Sequence, residues 1–593
     1  MNIAAWNSDQ EETQFQGEGS SHELAALLLT ETIQHSLFSL DQPVFVLYLD
    51  AKSAFDVVLR ELLVKNIFNI NNNCSQSLLY LDNRLKSRET FLDWNGELMG
   101  PILDEQGLEQ GGISSSDLYK IFGKEQLTLA QRSKLGVMLG KLTISCIGQA
   151  DDTALISNDI QKLFYLLELT KIFCSKYQVE LCAEKTKLQV FSTKKMAHSV
   201  ELSMATSAIE IDGERIPFST SAEHVGMLRS VSGNEPAILE RFKAHGKALS
   251  GVLHTGMAKG HRGNPASSLH IDKLYAIPVL MSGLAPLVLS DQEITMIDQH
   301  HKETLRCLLR LHQNTPRSVI YFLAGCLPGS ALLHLRQLSI FGMITRLPGS
   351  ILHQHATSIF SFSTISKKSW FLQIRKWCLL YDLPHPQILL SAPPLTKETF
   401  KTTVRKKVIG YWENLLRDEA APKPSLLSFR PCFMSLVSTH PIFTTAGSSP
   451  PKVAMATVQA VMLSGRYRTE ALCSHWSKNK QGVCLLSDSC STTEDDINHI
   501  LTRCPALDET REDLTKYTEN YLKKLPLQVQ VLLNKLCSSS NPSFCDFLLD
   551  ASSQPEVISA VQVHGPLLLH HTFCVTRTWI FVIHRERLKK LGC

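Results

Sequence analysis

The sequence lacks the long apolar stretches and leader segments of membrane and secreted proteins. None of its 593 residues belong to an uninterrupted apolar run as long as a membrane span. The most apolar late segment, 567–583, is interrupted by His570, His571 and Arg577. No N-terminal stretch combines a basic region with an apolar one, as a secretory signal does. We therefore expect a protein of the nucleus or cytoplasm that is not secreted and has no membrane partner.

Strong net charge and a regular cysteine pattern are also absent. The 60 Lys and Arg residues nearly balance the 56 Asp and Glu residues, and the net charge is only +4. Any nucleic-acid surface must therefore be local. The 16 cysteines are scattered through the chain, which favours reduced thiols over a disulfide framework. No internal repeat, Walker loop or Ser-His-Asp order is apparent, and the 44% hydrophobic content is typical of ordinary globular domains, three or four by length.

The sequence does contain two adjacent carboxylates between two apolar runs. Asp151 and Asp152 lie between residues 142–147 and 154–156. We interpret both runs as buried strands, so the pair is predicted to lie at the tip of a hairpin. Neighbouring buried carboxylates are costly unless a cation compensates them, and a hard divalent cation accepts such oxygen ligands. An ordinary Asp-Asp turn is the alternative for this stretch taken alone.

A third carboxylate follows another predicted strand. The apolar run 44–49 has the length of a strand, ends at Asp50 and is followed by a helical pattern that includes Leu59, Leu62 and Leu63. The end of a buried strand is a frequent position for a metal ligand. On adjacent strands, Asp50 and the carboxylates of the hairpin can hold two cations about 3.5–4 Å apart for in-line phosphoryl transfer.

Three motifs in this order resemble the reverse transcriptases of non-LTR (LINE-like) retrotransposons. They are LDAKSAFD at 49–56, GLEQGG at 107–112 and QADD at 149–152. The resemblance is strong over about residues 12 to 230. It implies an α+β fold with a right-hand polymerase palm of the split βαβ, ferredoxin-like type and partial fingers. A mostly helical thumb and a C-terminal domain would follow.

The resemblance implies an RNA-directed DNA polymerase, a nucleotidyltransferase. Its partners would be an RNA template, a DNA primer and deoxynucleoside triphosphates. Asp50, Asp151 and Asp152 would be the catalytic carboxylates that bind Mg²⁺ or Mn²⁺. Lys185, in a Lys-Thr element that matches the family, would donate a proton to the leaving pyrophosphate as a general acid. A solvated lysine at a turn is the alternative for Lys185.

Further residues of the motifs would contact the substrates. Phe55, five residues after Asp50, matches the family's gate against the ribose 2′-hydroxyl, and it can also be a core aromatic. Gln110 and Gly111 would lie against the nascent base pair and the template strand, because glycines allow close backbone approach. The chain departs from the family at Glu109, where a basic residue is common, and in its lack of a proline after the following serines.

The chain also begins after the point where the family has further fingers motifs that grip the triphosphate. We therefore expect a weak polymerase at best from the isolated chain. The alternative function is a truncated, catalytically weak or inactive remnant that binds nucleic acid. A Mg²⁺-dependent nuclease is less favoured, because the ordered QG and ADD motifs are features of polymerases. The sequence does not indicate an oligomeric state.

A basic stripe is predicted in the thumb. Lys302, Arg306 and Arg310 recur at i, i+4 and i+8 in a helix predicted over 298–312. Such a stripe can follow a phosphate backbone, and a solvated helix face is the alternative. The predicted domain organisation is partial fingers at 1–40, palm with fingers connection at 41–230, helical thumb and connection at 231–420, a linker at 421–452 and a C-terminal domain at 453–593.

The last domain contains a candidate zinc site. Cys484, Cys490, His499 and Cys504 offer three thiols and an imidazole, the ligands of a tetrahedral Zn²⁺ site. The His-x4-Cys spacing resembles a zinc-knuckle-like element of the same retrotransposon family. The first pair is more widely spaced than usual, residues 473 and 475 supply an alternative Cys and His, and free structural thiols are the alternative to a metal.

Overall fold

The computed structural model describes residues 21–592, with gaps. Residues 1–20 of the predicted fingers segment lie outside the described residues, as do 71–74, 87, 113, 199, 202–208, 257–262, 362–367, 475–480 and 539–540. The chain divides into two compact units: the first comprises the described parts of 1–241, 281–293 and 333–407, and the second those of 242–280, 294–332 and 408–593. The domain boundaries inferred from the sequence stay predictions.

All strands of the described residues belong to the first unit. They form one sheet of four strands and four hairpin-like pairs. The strands are β1 Val44–Leu49, β2 Arg88–Trp94, β3 Glu97–Asp104, β4 Val137–Leu139, β5 Leu142–Ile144, β6 Cys146–Gln149, β7 Asp152–Ser157, β8 Lys187–Phe191, β9 Glu210–Ile211, β10 Glu214–Arg215, β11 Ser221–His224 and β12 Met227–Ser230.

Helices make up most of the rest. In chain order they are α1 His22–Phe38, α2 Arg60–Ile70, α3 Ser75–Leu85, α4 Ser115–Arg132, α5 Ile160–Tyr177, α6 Glu235–Gly256, α7 Pro265–Ile271, α8 Ile277–Met281, α9 Asp291–Leu308, α10 Arg317–Ala324, α11 Gly329–Ile344, α12 Ile351–Ser361, α13 Trp370–Leu380, α14 Pro386–Ser391, α15 Lys397–Ala420, α16 Pro441–Thr444, α17 Pro450–Leu463, α18 Glu470–Ser474, α19 Asp508–Leu522, α20 Leu527–Leu536, α21 Phe544–Leu549, α22 Pro555–His564 and α23 Leu567–Lys590. In the described part of the chain, no single helix is long and apolar enough to cross a membrane, although α10 and α11 pass that test together as a bent pair.

The central sheet has the strand order β6-β7-β1-β8, and every neighbouring pair is antiparallel. All six residues of β1 are buried, which is the pattern of a strand covered on both faces. Helix α1 contacts β1 and β6, and α5 contacts β1 and β7. Because β7 and β8 flank β1 and are joined through α5, they form the split β-α-β connection that the sequence predicts.

The apolar residues of 160–177 recur with a helical period that predicts a helix over this range, and α5 has these bounds. The side chain of Asp159 accepts hydrogen bonds from the N–H groups of Gln161 and Lys162, so it caps the first turn. Leu163, Leu166 and five further residues form its buried side. The helix ends at Gln178, whose φ of +55° is left-handed.

Two connecting segments of the first unit lie outside the central sheet. Residues 179–182 form one isolated bridge, between Ala51 and Leu181, and their backbone bonds to the chain that follows β1. The connection at 64–100 contains helix α3 and the hairpin of β2 and β3. This hairpin is largely exposed, including Trp94 and Leu98 at its tip.

The second unit is helical. Its long helix α23 packs against α17, α19, α21 and α22. The sequence predicts an amphipathic basic helix over 577–590, and this range is the C-terminal part of α23, but Arg577 and Arg587 are buried. The guanidinium group of Arg587 donates to Asp495 at 2.7 Å and to the carbonyl of Arg468 at 2.8 Å. These arginines therefore hold the second unit together.

A buried glutamate connects α1 to later helices of the first unit. Glu31 is 1% exposed. Its Oε1 accepts from the Trp370 N–H at 2.7 Å, and its Oε2 accepts from the Ser369 hydroxyl at 2.7 Å. Nε2 of His355 lies 3.1 Å from the same Oε2. The carboxylate therefore accepts a hydrogen bond from a backbone N–H group in the first turn of α13 and connects this helix to α12.

Replacing Glu31 by Ala is expected to lower the free energy of unfolding of the first unit by about 3–5 kcal/mol, because buried donors lose their shared acceptor. Glu31→Gln keeps an acceptor oxygen and should cost less. Urea unfolding of both variants measures the difference, with Glu184→Ala at an exposed turn as the control. A loss below about 0.5 kcal/mol for Glu31→Ala, the range of ordinary surface substitutions, would contradict this role.

Candidate active site and candidate metal centre

Asp50 is held in place although it lies beyond the end of β1. The Cys182 N–H donates to the carbonyl of Asp50 at 2.8 Å, and the Lys52 N–H donates to the carbonyl of Glu180 at 2.8 Å. The Asp50 N–H lies 3.4 Å from the hydroxyl of Thr186, which is fully buried. The segment 180–186 therefore fixes the backbone of Asp50 at the edge of the sheet.

Asp151 and Asp152 lie at the tip of the predicted hairpin. Gln149 of β6 pairs with Asp152 of β7, and Ala150 and Asp151 form the turn. Ala150 has a φ of +54°, a region that β-branched side chains avoid. Strand β1 pairs with β7 so that Leu49 is opposite Thr153. The next residues, Asp50 and Asp152, therefore emerge side by side at one edge of the sheet.

The three carboxylates lie within one another's electric field. The pKa of Asp152 is raised to about 6. The largest cause is the partial loss of hydration of its carboxyl group, although the turn is exposed, and the second is the nearby charge of Asp151. Asp50 and Glu223 raise this pKa further, and a hydrogen bond from the Val225 N–H opposes them. A cation at this edge would relieve the repulsion.

The donor set fits a hard divalent cation. Carboxylate oxygens are the ligands that Mg²⁺ and Mn²⁺ prefer. Oδ2 of Asp50 is buried and has no hydrogen-bond partner. A buried carboxylate oxygen without a hydrogen bond is costly unless a charge interacts with it, and Nζ of Lys185, 3.7 Å away, supplies part of that charge. The site residues predicted from the sequence thus meet at a position where a cation would stabilise the fold.

Lys185 lies in the same site. Its Nζ is 3.7 Å from Oδ2 of Asp50, and its side chain is 72% exposed. The short segment between α5 and β8 that fixes Asp50 also carries Lys185, so the two residues are positioned by the same turn. An exposed pair at this distance contributes little to stability, and the lysine remains available for another partner.

Phe55 lies on the side of the site formed by α4. Its ring centroid is 4.8 Å from that of Tyr119, and it packs against the cluster of buried residues that joins α2, α4 and α5. Tyr119 is buried, and its pKa is raised by burial and by the nearby charge of Asp151. Phe55 is therefore a packed aromatic, as one of its two interpretations expects, and its role as a gate stays a prediction.

The Gly-rich turn is joined to the segment after β1. The Leu108 N–H donates to the carbonyl of Phe55 at 2.7 Å. Gly107 has a φ of +85°, and a Cβ there would lie 2.7 Å from the carbonyl oxygen of Asp56. Nε2 of Gln110 lies 3.4 Å from Oδ1 of Asp56, and Gly111 is exposed with a φ of +86°. The turn that carries Gln110 and Gly111 is thus hydrogen-bonded to the loop that carries Phe55.

Sequence reasoning missed Arg60, which organises this loop. The side chain is buried and donates to the carbonyls of Gly107, Leu85 and Gln106 at 2.9, 3.0 and 2.9 Å. An arginine at the start of a helical pattern is an ordinary surface residue in most sequences, so no signal indicated this role. The guanidinium geometry, with five donors in a rigid fork, suits the convergence of three carbonyls.

The second unit contains the four predicted zinc ligands as one buried group. The ligand atoms of Cys484, Cys490, His499 and Cys504 all lie within 4.8 Å of one another. The sulfur atoms of Cys484 and Cys504 are 3.8 Å apart, which is too long for a disulfide. A tetrahedron with Zn–S bonds of about 2.3 Å has edges of about 3.8 Å. Cys473 is outside this group, and residue 475 lies outside the described residues.

The chemistry of the four side chains also fits zinc. Both ring nitrogens of His499 are buried without hydrogen-bond partners, and burial lowers the pKa of this histidine, so the imidazole is neutral and able to ligate. Burial raises the pKa of the Cys484 and Cys504 thiols. A cation that replaces these protons would compensate the burial.

The predicted basic stripe does not form. Helix α9 ends at Leu308, and Arg310 has a φ of +58° beyond it. Arg306 donates to Glu303 at 2.7 Å and to the carbonyl of Leu311 at 2.9 Å. Arg310 donates to the carbonyl of Gly263 at 2.6 Å. The prediction was wrong because both arginines donate hydrogen bonds to carbonyl or carboxylate groups near the end of the helix. They do not form a row with Lys302 on one exposed side of it.

Residues 10–212 match the family model of the reverse transcriptase (RNA-dependent DNA polymerase). The match contains the three carboxylates, Lys185 and the Gly-rich turn, and it ends well before the four candidate zinc ligands at 484–504. No curated protein matches the chain. The chain thus carries a reverse transcriptase domain, which makes RNA-directed DNA polymerase, a nucleotidyltransferase, its activity class.

Proposed function

We propose that the chain is the polymerase of a non-LTR retrotransposon, which extends a DNA primer on an RNA template by two-metal phosphoryl transfer. The observation that carries this proposal is the convergence of Asp50, Asp151 and Asp152 at one edge of the four-stranded sheet. The order of the three sequence motifs supports the retrotransposon type. The family match supports the substrates in general: an RNA template, a primer and nucleotides.

Asp50 and Asp151 would hold two Mg²⁺ or Mn²⁺ ions, with Asp152 completing the acidic group. Bound there, the cations supply activation of the primer 3′-hydroxyl and neutralisation of the leaving pyrophosphate. The protein contributes rigidity: the hydrogen bonds from Cys182 and Thr186 fix Asp50. A fixed backbone keeps the carboxylates in place, so no reorganisation is required during the reaction.

Lys185 would act on the leaving group. Its ammonium group is exposed and lies beside Asp50, so it can donate a proton to a phosphate oxygen that enters the site. The hairpin of β11 and β12 would support the primer end. The Val225 N–H at its tip bonds to the Asp152 carboxylate, which links the position of this hairpin to the catalytic carboxylates.

Cys484, Cys490, His499 and Cys504 would hold one Zn²⁺ with a structural role. Four protein ligands leave no open coordination position for a substrate. The ion would fix the short loops of residues 481–507, where the second unit has little regular secondary structure. The resemblance of His-x4-Cys to the zinc-knuckle-like element supports this assignment.

Phe55→Ala is expected to raise the incorporation of ribonucleotides relative to deoxyribonucleotides by at least about tenfold, equal to about 1.4 kcal/mol. The ring packs on Tyr119 and would exclude a 2′-hydroxyl sterically. Single-nucleotide extension with the two kinds of triphosphate measures the ratio. Phe164→Ala, at a half-exposed phenylalanine of α5, is the control. An unchanged ratio in active Phe55→Ala protein would leave Phe55 as a packing residue only.

Primer extension by the purified full chain tests the proposed function. We expect Mg²⁺-dependent addition of deoxynucleotides to a DNA primer on an RNA template, and no addition when EDTA replaces the metal. Binding of primer–template without any extension over a range of Mg²⁺ and Mn²⁺ would favour the non-catalytic remnant. Metal-dependent cleavage of the template without extension would favour a nuclease.

A further inference from the structure

The N-terminal half of helix α15 concentrates positive charge. Its residues 397–407 contain five basic residues and only one acidic residue, Glu398, for a local net charge of +4. The whole chain of 593 residues has the same net charge. This segment also lies outside the match to the reverse transcriptase family, which ends at residue 212. The basic residues are Lys397, Lys401, Arg405, Lys406 and Lys407.

Four of these five side chains are exposed and form no ion pair with any residue that the structure describes. Lys407 is 2.6 Å from Asp382. Within the described ranges, the other four form no ion pair with a carboxylate, and all four are exposed. Lys397, Lys401 and Arg405 recur at i, i+4 and i+8, so they line one side of the helix. This is the arrangement that the sequence predicted for α9 and that the structure does not show there.

The apolar side of the same helical segment is already buried. Phe400 and Val404 are 6% and 4% exposed. The ring of Phe400 lies so close to Gly342 of α11 that a Cβ there would be 2.5 Å from it. A helix that enters a membrane surface needs a free apolar face. This segment offers solvent only its polar side, and its charge is what a partner can recognise.

The charge arrangement opposes the stability of the helix. Cations near a helix N-terminus interact unfavourably with the helix dipole. Like charges at i, i+4 also repel, as Lys397 and Lys401, and Lys401 and Arg405, must do. Among the first three turns only Glu398 compensates. A local rule that is broken without compensation within the fold is expected at functional positions.

We propose that Lys397, Lys401, Arg405 and Lys406 bind the phosphodiester backbone of a nucleic acid. A polyanion removes both the repulsion along the helix and the conflict with its dipole. At a rise of 1.5 Å per residue, the three residues on one side span about 12 Å, enough to contact several phosphates of one strand. The choice of nucleic acid as the polyanion rests on the proposed function, because a polymerase holds a template and a primer.

The test is the salt dependence of binding to an RNA–DNA primer–template duplex. Fluorescence anisotropy is measured between about 50 and 200 mM salt, without nucleotides or divalent metal. The variant replaces Lys397, Lys401, Arg405 and Lys406 by Gln, which keeps helix propensity. The slope of log K against log [salt] should become shallower by about 3.6, at about 0.9 for each of four lost phosphate contacts, and the affinity at low salt should fall at least about tenfold.

A matched variant controls for net charge. It replaces four exposed lysines of the second unit by Gln: Lys523, Lys524, Lys535 and Lys590. Its slope should stay close to that of the wild type. An equal loss in both variants, or an unchanged slope in the α15 variant, would overturn the proposal. Thermal unfolding of the α15 variant should occur at the same or a higher temperature, because repulsion is removed, so misfolding does not mimic the expected loss.

Another partner would give a different pattern. If wild type binds vesicles that contain phosphatidylserine through these four residues while duplex binding is unchanged in the variant, the surface is for a membrane and the proposal is wrong. Because metal and nucleotides are absent, the measurement is independent of catalysis. A chain that fails to extend primers but shows the expected change in slope would contradict the proposed function and support this surface.

Discussion

Replacing Asp151 by Asn is expected to abolish primer extension, with a loss of at least about a thousandfold, or about 4 kcal/mol in the activation barrier. Asp151 lies at the hairpin tip beside Asp152 and would hold a catalytic cation. An amide has no net charge to offer the cation. The residue is exposed and lies in a turn, so the free energy of unfolding should change by less than about 0.5 kcal/mol.

A second observable follows from the electrostatics of the pair. Asp151 raises the pKa of Asp152, so Asp151→Asn should lower the pKa of Asp152 from about 6 in the metal-free protein. NMR titration of the carboxyl carbons measures this shift. Asp418→Asn, at an exposed position of α15, should change neither activity nor this pKa. Normal extension by a folded Asp151→Asn variant would remove Asp151 from the mechanism.

Purified full-length protein is expected to carry about one Zn²⁺ per chain, and removal of the metal should unfold the part of the second unit around Cys484 and Cys504. In small zinc domains the binding of the ion supplies on the order of 10 kcal/mol of folding free energy. Without the ion, three buried thiols and an imidazole with no hydrogen-bond partner would be left in the protein. Atomic absorption measures the metal content, and hydrogen exchange before and after chelation locates the unfolding.

Variants of the ligands distinguish this site from other cysteines. A Cys490→Ser, Cys504→Ser double variant should lose the zinc, whereas Cys473→Ser should keep it, because Cys473 is outside the group of four. Protein that is folded but free of metal would falsify the zinc assignment. Full zinc content in the double variant would place the ion elsewhere.

The spacing of apolar residues predicted the central elements of the first unit well. The bounds of α5 agree with the prediction over 160–177, and β1 ends one residue before Asp50 as expected. The hairpin with Asp151 at its tip is confirmed by the pairing of Gln149 with Asp152. Such patterns are reliable because burial on the core side of an element repeats with its helical or strand period.

Predictions about charged side chains on helices were less successful. The sequence favoured α9 as a basic stripe, but Arg306 and Arg310 bond to nearby backbone and carboxylate groups. Arg577 and Arg587 belong to the range predicted as an amphipathic basic helix, and both are buried. Long side chains reach acceptors that are distant in sequence. Periodicity indicates which side of a helix a residue is on, but not which group it meets there.

The sequence by itself determined that the chain carries a reverse transcriptase domain, and it supplied the candidate residues of the two sites. These candidates depend on residue type and local spacing, which can be read directly from the sequence. They are the ordered carboxylate and glycine motifs and the four ligands of the candidate zinc site. Only the tertiary structure decided which groups meet. It placed Asp50 beside Asp152 through the register of β1 and β7 and gathered His499 with three cysteines into one buried group. It also engaged the arginines near the end of α9 and left four basic side chains of α15 without ion pairs among the described residues. The reason is that ion pairs and hydrogen bonds act over a few ångströms in space. The separation of two residues along the chain does not indicate their distance in the fold.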